Sequence, residues 1–512
     1  MRNGFLGAIV ALAAGVGLAS AQVFPGGPLP GPNSGGYGPG EGRLPVNLPQ
    51  LGPTDGDPGQ GGPGGVPYPP PANWEGFDPN GPPGTAFRGP EAPYVWFGAE
   101  YLMWFSKAAS FNAPLASTSA PINGGVLGTP DSHILYGNRD VQFNLTSGFR
   151  VTGGMFFDPE RRLGFELSGF VLEKRNSTFS IQSQDGGTPL IARPYFDTNS
   201  GTNAALLVSA PGIATGNINV VTSTRTWGAE GNGVLNLYRS SPSDYNGYSL
   251  SLLGGFRYLD LKEAVNIQSD SNLFPGAAIT FANQSFTAAQ ASSSTSSVIN
   301  PGVFPTTTTT TSNTTSAVNY HVIDQFNAHN EFYGGNLGLY QEFRSGRWSL
   351  GVKSKVALGL MHEMVDVNGN SVLTQTLTTN SNSVTVDPRF INSNTTTQST
   401  SSTSGRQGAI GGLYALSDQI GRYRRDVFAV VPEGTLNLGY QITPGISGFI
   451  GYNVIYMNRV ARAAPLVTGN ANSALLPLSP NFGASTIAPP VDVFKETDFW
   501  VQGINFGLNF RY

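Results

Sequence analysis

The chain has 512 residues, no cysteine, 12% charged residues and a formal net charge of −4. The absence of cysteine excludes a disulfide scaffold, a cysteine nucleophile and cysteine-based metal sites, and the weak net charge gives no field that would attract nucleic acid. With 67 glycines and 38 prolines, the composition disfavours long helices and predicts strands joined by irregular loops.

The first residues have the pattern of an export signal. Arg2 precedes an apolar run over residues 5–19, and Ala19-Ser20-Ala21 provides the small residues that a signal peptidase needs. An uncleaved membrane anchor is the less favoured interpretation, because the run is short for a transmembrane helix of ~20 residues and glycines interrupt it. We therefore predict a signal peptide over residues 1–21 and export of the protein.

Residues 22–93 form a tract rich in glycine and proline, with few aliphatic side chains to bury. This composition predicts a disordered linker, because it cannot bury enough apolar surface to offset the entropy of ordering. Two interpretations stay open for it. The tract is either an extended tether to the periplasm or to a partner, or it is simply tolerated disorder.

From residue 94 onward the sequence breaks into short segments of alternating polarity. In one of them, Leu163, Phe165 and Leu167 have one parity, while Glu166 and Ser168 have the other. A strand between lipid and a polar lumen requires this pattern, but a soluble β-sandwich would show a similar one. The lengths of the connections are therefore needed to decide between the two.

Long polar segments alternate with tight turns along the chain. The long segments are residues 106–145, 174–223, 262–330, 361–426 and 458–498, and the turns are residues 158–161, 240–244, 344–346 and 443–445. Outer-membrane barrels show this rhythm, because their extracellular loops are long and their periplasmic turns are short.

The resulting prediction is an all-β fold, a transmembrane antiparallel up-and-down β-barrel of about ten strands over residues 94–512. The predicted strands are residues 94–105, 146–157, 162–173, 224–238, 245–261, 331–343, 347–360, 427–442, 446–457 and 499–512. Twelve strands is the alternative, with residues 317–326 or 361–372 as additional strands. The threonine-rich runs at residues 306–312 and 395–404 are expected to be solvated filler, with glycosylation or adhesion as the less favoured interpretation.

The last segment resembles the C-terminal signal of outer-membrane barrels, which the barrel-assembly machinery recognises as an edge strand. Its apolar residues all have one parity: Ile504, Phe506, Leu508, Phe510 and Tyr512. We expect this segment to be the strand that closes the barrel.

Four segments also resemble a known family. They are Trp96-Phe97-Gly98-Ala99-Glu100-Tyr101-Leu102-Met103-Trp104, residues 148–154, residues 448–452 and residues 499–507. They are similar to the putative beta-barrel porin-7 family of planctomycete outer-membrane proteins, over residues 94–512. The resemblance implies an outer-membrane barrel and offers no catalytic residues to carry over.

The strand parities also predict which charged side chains face the lumen. These are Glu100, Arg150, Glu166, Glu230, Arg257, Glu342, Lys353, Lys355, Glu433 and Arg511. Because a ten-stranded barrel is narrow, they either line a pore or pair into a network that fills the interior, and the second is favoured. Aromatic residues near strand ends or on outward faces suit membrane-interface belts or ordinary packing; they include Trp96, Trp104, Trp227, Tyr248, Tyr258, Tyr340, Trp348, Tyr452, Tyr456 and Trp500.

We expect no enzyme, cofactor or metal site. Asp131-Ser132-His133 lies in a predicted extracellular loop, and none of the four histidines has zinc-like spacing. The leading hypothesis is passive diffusion of small polar solutes across the outer membrane. The alternative is a closed structural or adhesive barrel that acts through its long Ser/Thr/Asn-rich loops. The expected partners are outer-membrane lipid, the barrel-assembly machinery and, for a pore, those solutes; nucleic acid is not expected.

Overall fold

The structure, a computed structural model, describes residues 95–240, 245–302, 305–389, 394–484, 493–495 and 497–512. The predicted signal peptide, the predicted linker, Tyr94 and residues 241–244 of one predicted turn lie outside the described residues. Among the residues described, no helix is long and apolar enough to cross a membrane.

The described residues form twenty strands. In chain order these are β1 (Val95–Ser106), β2 (Ala109–Thr118), β3 (His133–Val141), β4 (Thr146–Phe156), β5 (Leu163–Leu172), β6 (Arg175–Gln182), β7 (Ile191–Asp197), β8 (Thr202–Ser209), β9 (Ala214–Arg239), β10 (Asn246–Leu273), β11 (Ala278–Phe281), β12 (Gln284–Thr287), β13 (Ala289–Asn300), β14 (Thr306–Ser345), β15 (Trp348–Val386), β16 (Asn394–Ile410), β17 (Gly421–Thr443), β18 (Ile446–Val460), β19 (Asn470–Ala471) and β20 (Thr497–Arg511).

Ten of these strands close a ring of antiparallel pairs, in the order β14, β10, β9, β5, β4, β1, β20, β18, β17 and β15, with β15 pairing back to β14. The first and last strands pair along their length, and Val95 and Tyr512 exchange backbone hydrogen bonds of 3.2 and 2.9 Å. The predicted ten-stranded antiparallel barrel is confirmed. The twelve-strand alternative is wrong, because residues 317–326 and 361–372 continue β14 and β15 instead of forming new strands.

The ring has an apolar outer face and a buried inner face. On β20, Ile504, Phe506 and Leu508 are 43–45% exposed, whereas Asn505 between them is fully buried. This inversion of the soluble pattern is what a strand shows when lipid contacts its outer face.

Two belts of aromatic side chains bound the apolar outer face. In the lower belt, near the tight turns, ring centroids are 4.9 to 5.9 Å apart, and in the upper belt they are 5.0 Å apart. The lower belt contains Tyr238, Tyr248, Phe343, Trp348 and Tyr440, and the upper belt contains Trp227, Tyr258 and Tyr333. From Tyr248 to Tyr258 the strand advances about 10 residues, or ~24 Å at a tilt of ~45°, which matches the apolar band of an outer-membrane barrel.

Three of the aromatic residues named as candidates for these belts lie on the inner side. Trp104 is fully buried, and Trp96 and Tyr340 line an interior cavity. Trp96 and Trp104 have the parity of Glu100, so the alternation itself directs them into the barrel.

Above the upper belt, β9, β10, β14, β15 and β17 continue past the membrane. Their inner faces pack against β2, β7, β8 and the segment at residues 461–476, around one apolar core. We call this part of the molecule the head. The expectation of long irregular loops here is wrong. In the parts of these strands above the upper belt, apolar residues recur at every second position, as in Ile218 and Val220 or Val365 and Val367. Burial of this apolar face favours paired strands over loops.

The tops of β14 and β15 pair with β13 and β16 in a four-stranded sheet, which we call the blade. The threonine-rich runs lie in it as regular strands, not as filler. Facing hydroxyls on β14 and β15 are 2.8 to 3.0 Å apart in four successive pairs. Threonine's preference for strands and these hydroxyl pairs order a segment that has no apolar core.

Leu337→Arg tests the position of the membrane. Leu337 is 63% exposed on the outer face, between Phe343 of the lower belt and Tyr333 of the upper one. Because this face contacts lipid, a charge here is expected to lower the free energy of unfolding by about 2–4 kcal/mol. Denaturant titration in lipid vesicles measures the change. Ser401→Arg on the exposed β16 is the control and should cost less than about 0.5 kcal/mol; equal losses would show that Leu337 does not face lipid.

Candidate functional site in the barrel interior

A network of buried charges crosses the middle of the barrel. Glu230 and Arg257 face each other on β9 and β10, with 3.5 Å between Oε2 and Nε. From the strands on the other side of β14, Lys355 of β15 reaches Glu230 and Glu433 of β17 reaches Arg257. All four side chains are at most 1% exposed, so their charges are compensated almost entirely by one another.

The network continues onto β1 and β4. Arg150 and Glu100 are register partners, with Nη1 and Oε2 3.4 Å apart. Arg150 also donates to Asn453 Oδ1 at 3.0 Å, and Asn505 Nδ2 donates to Glu100 at 2.7 Å. The two asparagines extend the network to β18 and β20, so polar side chains from both sides of the ring closure meet in the lumen.

A second group of charges lies nearer the tight turns. Lys353 Nζ is 3.4 Å from Glu166, and Glu342 is 3.0 Å from Arg344 and 3.6 Å from Arg511. All ten charged residues selected from the alternation are therefore brought together in ion pairs with one another. The predicted set of charged residues does not include Asn453, Arg344 or Arg239, which also face the interior.

An apolar layer fills the barrel directly above the charge network. Its side chains come from eight of the ten strands and form one cluster in which none is more than 4% exposed. The members are Leu102, Trp104, Phe170, Leu172, Leu259, Leu261, Phe332, Ala357, Met361, Ala429, Val431, Ile455, Met457, Val460, Phe499 and Val501. The sequence predicts a polar lumen, but at this level of the barrel the lumen is filled with apolar side chains. These residues have the inward parity of Glu100, Arg257 and Glu433, so the signal was present in the sequence.

A buried carboxylate joins three elements of the head. Asp324 Oδ1 accepts the backbone N–H groups of Tyr414 and Ala415 at 2.8 and 2.7 Å, and its Oδ2 pairs with Arg193. The Tyr414 hydroxyl donates to the carbonyl of Pro194 at 3.0 Å. Burial raises the pKa of that phenol, so it remains a proton donor at neutral pH. Asp324 therefore joins β14, β7 and the segment after β16 over the apolar layer.

The histidines form no catalytic arrangement with Ser132. Ser132 donates its hydroxyl to the Thr129 carbonyl at 2.7 Å, and His133 is exposed on β3. The other three each contact an aspartate: His321 with Asp270 at 2.7 Å, His362 with Asp426 at 2.6 Å and His329 with Asp260 at 2.6 Å. Glu331 joins the last pair, and the ligand atoms of Asp260, His329 and Glu331 lie within 4.8 Å of one another, close enough to hold a metal ion.

Family comparison agrees with this architecture. The model of the family described as putative beta barrel porin-7 matches residues 96–295 and 302–512. The chain belongs to this family. The matched residues contain the ten strands of the ring together with most of the head and the blade.

Solved structures give a weaker likeness. The outer membrane protease OmpT from Escherichia coli is 11% identical, with a TM-score of 0.32, over 83% of this chain and 97% of that chain. A Pseudomonas aeruginosa FadL homologue is 8% identical, with a TM-score of 0.19, over 83% of this chain and 91% of that chain. At these TM-scores the likeness supports no conclusion about either fold or activity. No curated protein matches the sequence.

Arg257→Met tests the central network. It leaves Glu433, which is fully buried, without its guanidinium partner, and is expected to lower the free energy of unfolding by about 3–5 kcal/mol. Arg422→Met is the matched control, because Arg422 pairs with Asp366 at 2.6 Å but its side chain is 60% exposed. That variant should lose no more than about 1 kcal/mol. Similar losses in denaturant titrations of the two variants would contradict a dry central network.

Proposed function

We propose that this protein is an outer-membrane barrel that is closed at rest and acts at the cell surface through its head and blade. The observation that supports this most directly is the apolar layer, in which side chains of eight strands meet with no more than 4% exposure. Ions and polar solutes would have to give up their water to pass it, which costs several kcal/mol for each unpaired polar group. The barrel in this state therefore opposes passive diffusion.

Two further features support closure. The buried charges below the layer are held by partners on non-adjacent strands, such as Arg257 with Glu433 and Lys355 with Glu230. Above the layer, the apolar core of the head covers the lumen. A solute would meet all three levels, and the apolar layer is the one that offers it no polar partner.

The blade supports a role in surface contact. Its outer strands β13 and β16 are exposed along almost their whole length, and they are made largely of serine, threonine and asparagine. Each is an edge strand, so its outer backbone N–H and C=O groups are available to another strand or to a polyhydroxylated surface polymer. A polar, hydroxyl-rich surface of this kind is suited to adhesion.

A diffusion pore for small polar solutes is the second candidate. The family description favours it, and the interior charges of both signs would suit a polar pathway if the apolar layer separated. Under both proposals, the apolar residues at alternate positions on the outer face of β20 would be the signal that the barrel-assembly machinery recognises.

Planar-bilayer recording distinguishes the two functions. Purified protein is expected to insert without conductance steps, because the apolar layer excludes water from the lumen. The double variant Trp104→Ala/Phe499→Ala removes two fully buried rings of that layer and should conduct. Phe506→Ala, which shortens a side chain on the lipid face, is the control and should stay silent. Regular conductance steps from the unmodified protein would refute closure and favour the pore.

A further inference from the structure

A cavity of about 170 Å³ lies in the barrel interior, between the charge network and the tight turns. In the network, positive and negative side chains are equal in number, whereas around the cavity the positive ones are in excess. Its charged lining consists of Glu100, Glu166, Glu342, Arg239, Arg344, Lys353 and Arg511. Glu100 pairs with Arg150, and Glu166 pairs with Lys353. After these pairs, one carboxylate, that of Glu342, remains for three guanidinium groups.

Local backbone structure brings the three arginines together. Arg344 is the last residue but one of β14 and Arg511 is the last residue of β20, and both have the inward parity of Glu342 and Asn509. Arg239 has the outward parity of β9 by simple alternation. A β-bulge at Leu237, where the pairing with β10 shifts by one residue, turns Arg239 into the cavity.

The arginine charges are only partly compensated. Glu342 Oε1 lies 3.0 Å from Arg344 Nε and 3.6 Å from Arg511 Nη2, whereas Arg239 makes no ion pair within the described residues. Arg239 also lies within electrostatic range of Arg161, in the turn after β4. Guanidinium groups held close together at a half-buried site repel one another, and an anion between them removes that repulsion.

We infer that this cavity is a binding site, open to the side of the tight turns, for a small anion that carries carboxylate or phosphate groups. Arginine forks bind such groups with two parallel hydrogen bonds. The volume lies below the ~300 Å³ at which pockets for drug-sized ligands begin, which restricts the ligand to a small molecule or a single headgroup. The side chains of Arg344 and Arg511 are 24% and 22% exposed, so a ligand can reach them from solvent. In outer-membrane barrels the tight turns face the periplasm, and the ligand would come from there.

The test is isothermal titration of the full chain in lipid nanodiscs with inorganic phosphate and, separately, with citrate, at physiological salt. Saturable binding of at least one anion is expected, and the tighter of the two identifies the chemical group. Arg239→Gln should weaken binding about tenfold or more, because it removes a charge-assisted hydrogen bond. Glu342→Gln should tighten it, because the competing carboxylate is lost.

Arg406→Gln is the control, because Arg406 is exposed on β16 in the blade and should leave the Kd unchanged. The inference is wrong if neither anion binds saturably, or if Arg406→Gln weakens binding as much as Arg239→Gln does. A structural role for the arginines alone would lower stability in all cavity variants and would not produce opposite changes in Kd. The result is independent of bilayer conductance, so the closed-barrel proposal can fail while this one stands.

Discussion

Closure of the backbone hydrogen-bond ring is the constraint on which the rest of this structure depends. In hydrocarbon no water can satisfy a free N–H or C=O group, so a sheet that crosses a membrane must pair its first strand with its last. Here β1 and β20 pair over eleven consecutive residues, from Trp96 with Arg511 to Ser106 with Val501. Once ten strands close in this way, the lumen has a fixed and narrow width, and opposite walls come within reach of each other's side chains.

The narrow lumen explains why its contents change with height. In the middle, charged residues are long enough to meet partners across the barrel, and they tolerate burial because each has an opposite charge nearby. A network of this kind adds little net stability compared with an apolar core, but the loss of any single member is strongly destabilising, because it leaves a buried charge without its partner. Above it, shorter apolar side chains fill the same width, and the lumen becomes a conventional hydrophobic core inside a membrane protein.

Much of this architecture could be predicted from the sequence. Each of the ten predicted strands overlaps a strand of the ring, because tight turns and alternation are local signals. The extents of β9, β10, β14 and β15 above the membrane could not be predicted, because their polar composition is equally typical of loops. Apolar pairs such as Ile218 and Val220 become strand residues only when β2 and β7 cover them, which is a long-range event.

The interior shows the same division between local and long-range information. Alternation selected ten charged residues that the fold brings together, but Arg239 was missed because one extra residue at Leu237 reverses the parity behind it. Bulges have no reliable sequence signature in a glycine-rich strand. The apolar layer was missed for a different reason. Its members have the inward parity, but the general pattern of outer-membrane strands predicts a polar lumen along the whole strand.

The length of β14 and β15 has a mechanical consequence. The two strands pair without interruption from Thr307 with Val386 in the blade to Ser345 with Trp348 at the opposite end of the barrel. A pull on the blade, parallel to these strands, would load their many hydrogen bonds at once in shear, instead of opening them one by one. A force that pulls on the blade at the cell surface would therefore be transmitted through β14 and β15 to the part of the barrel that lies in the membrane, and the barrel would serve as an anchor.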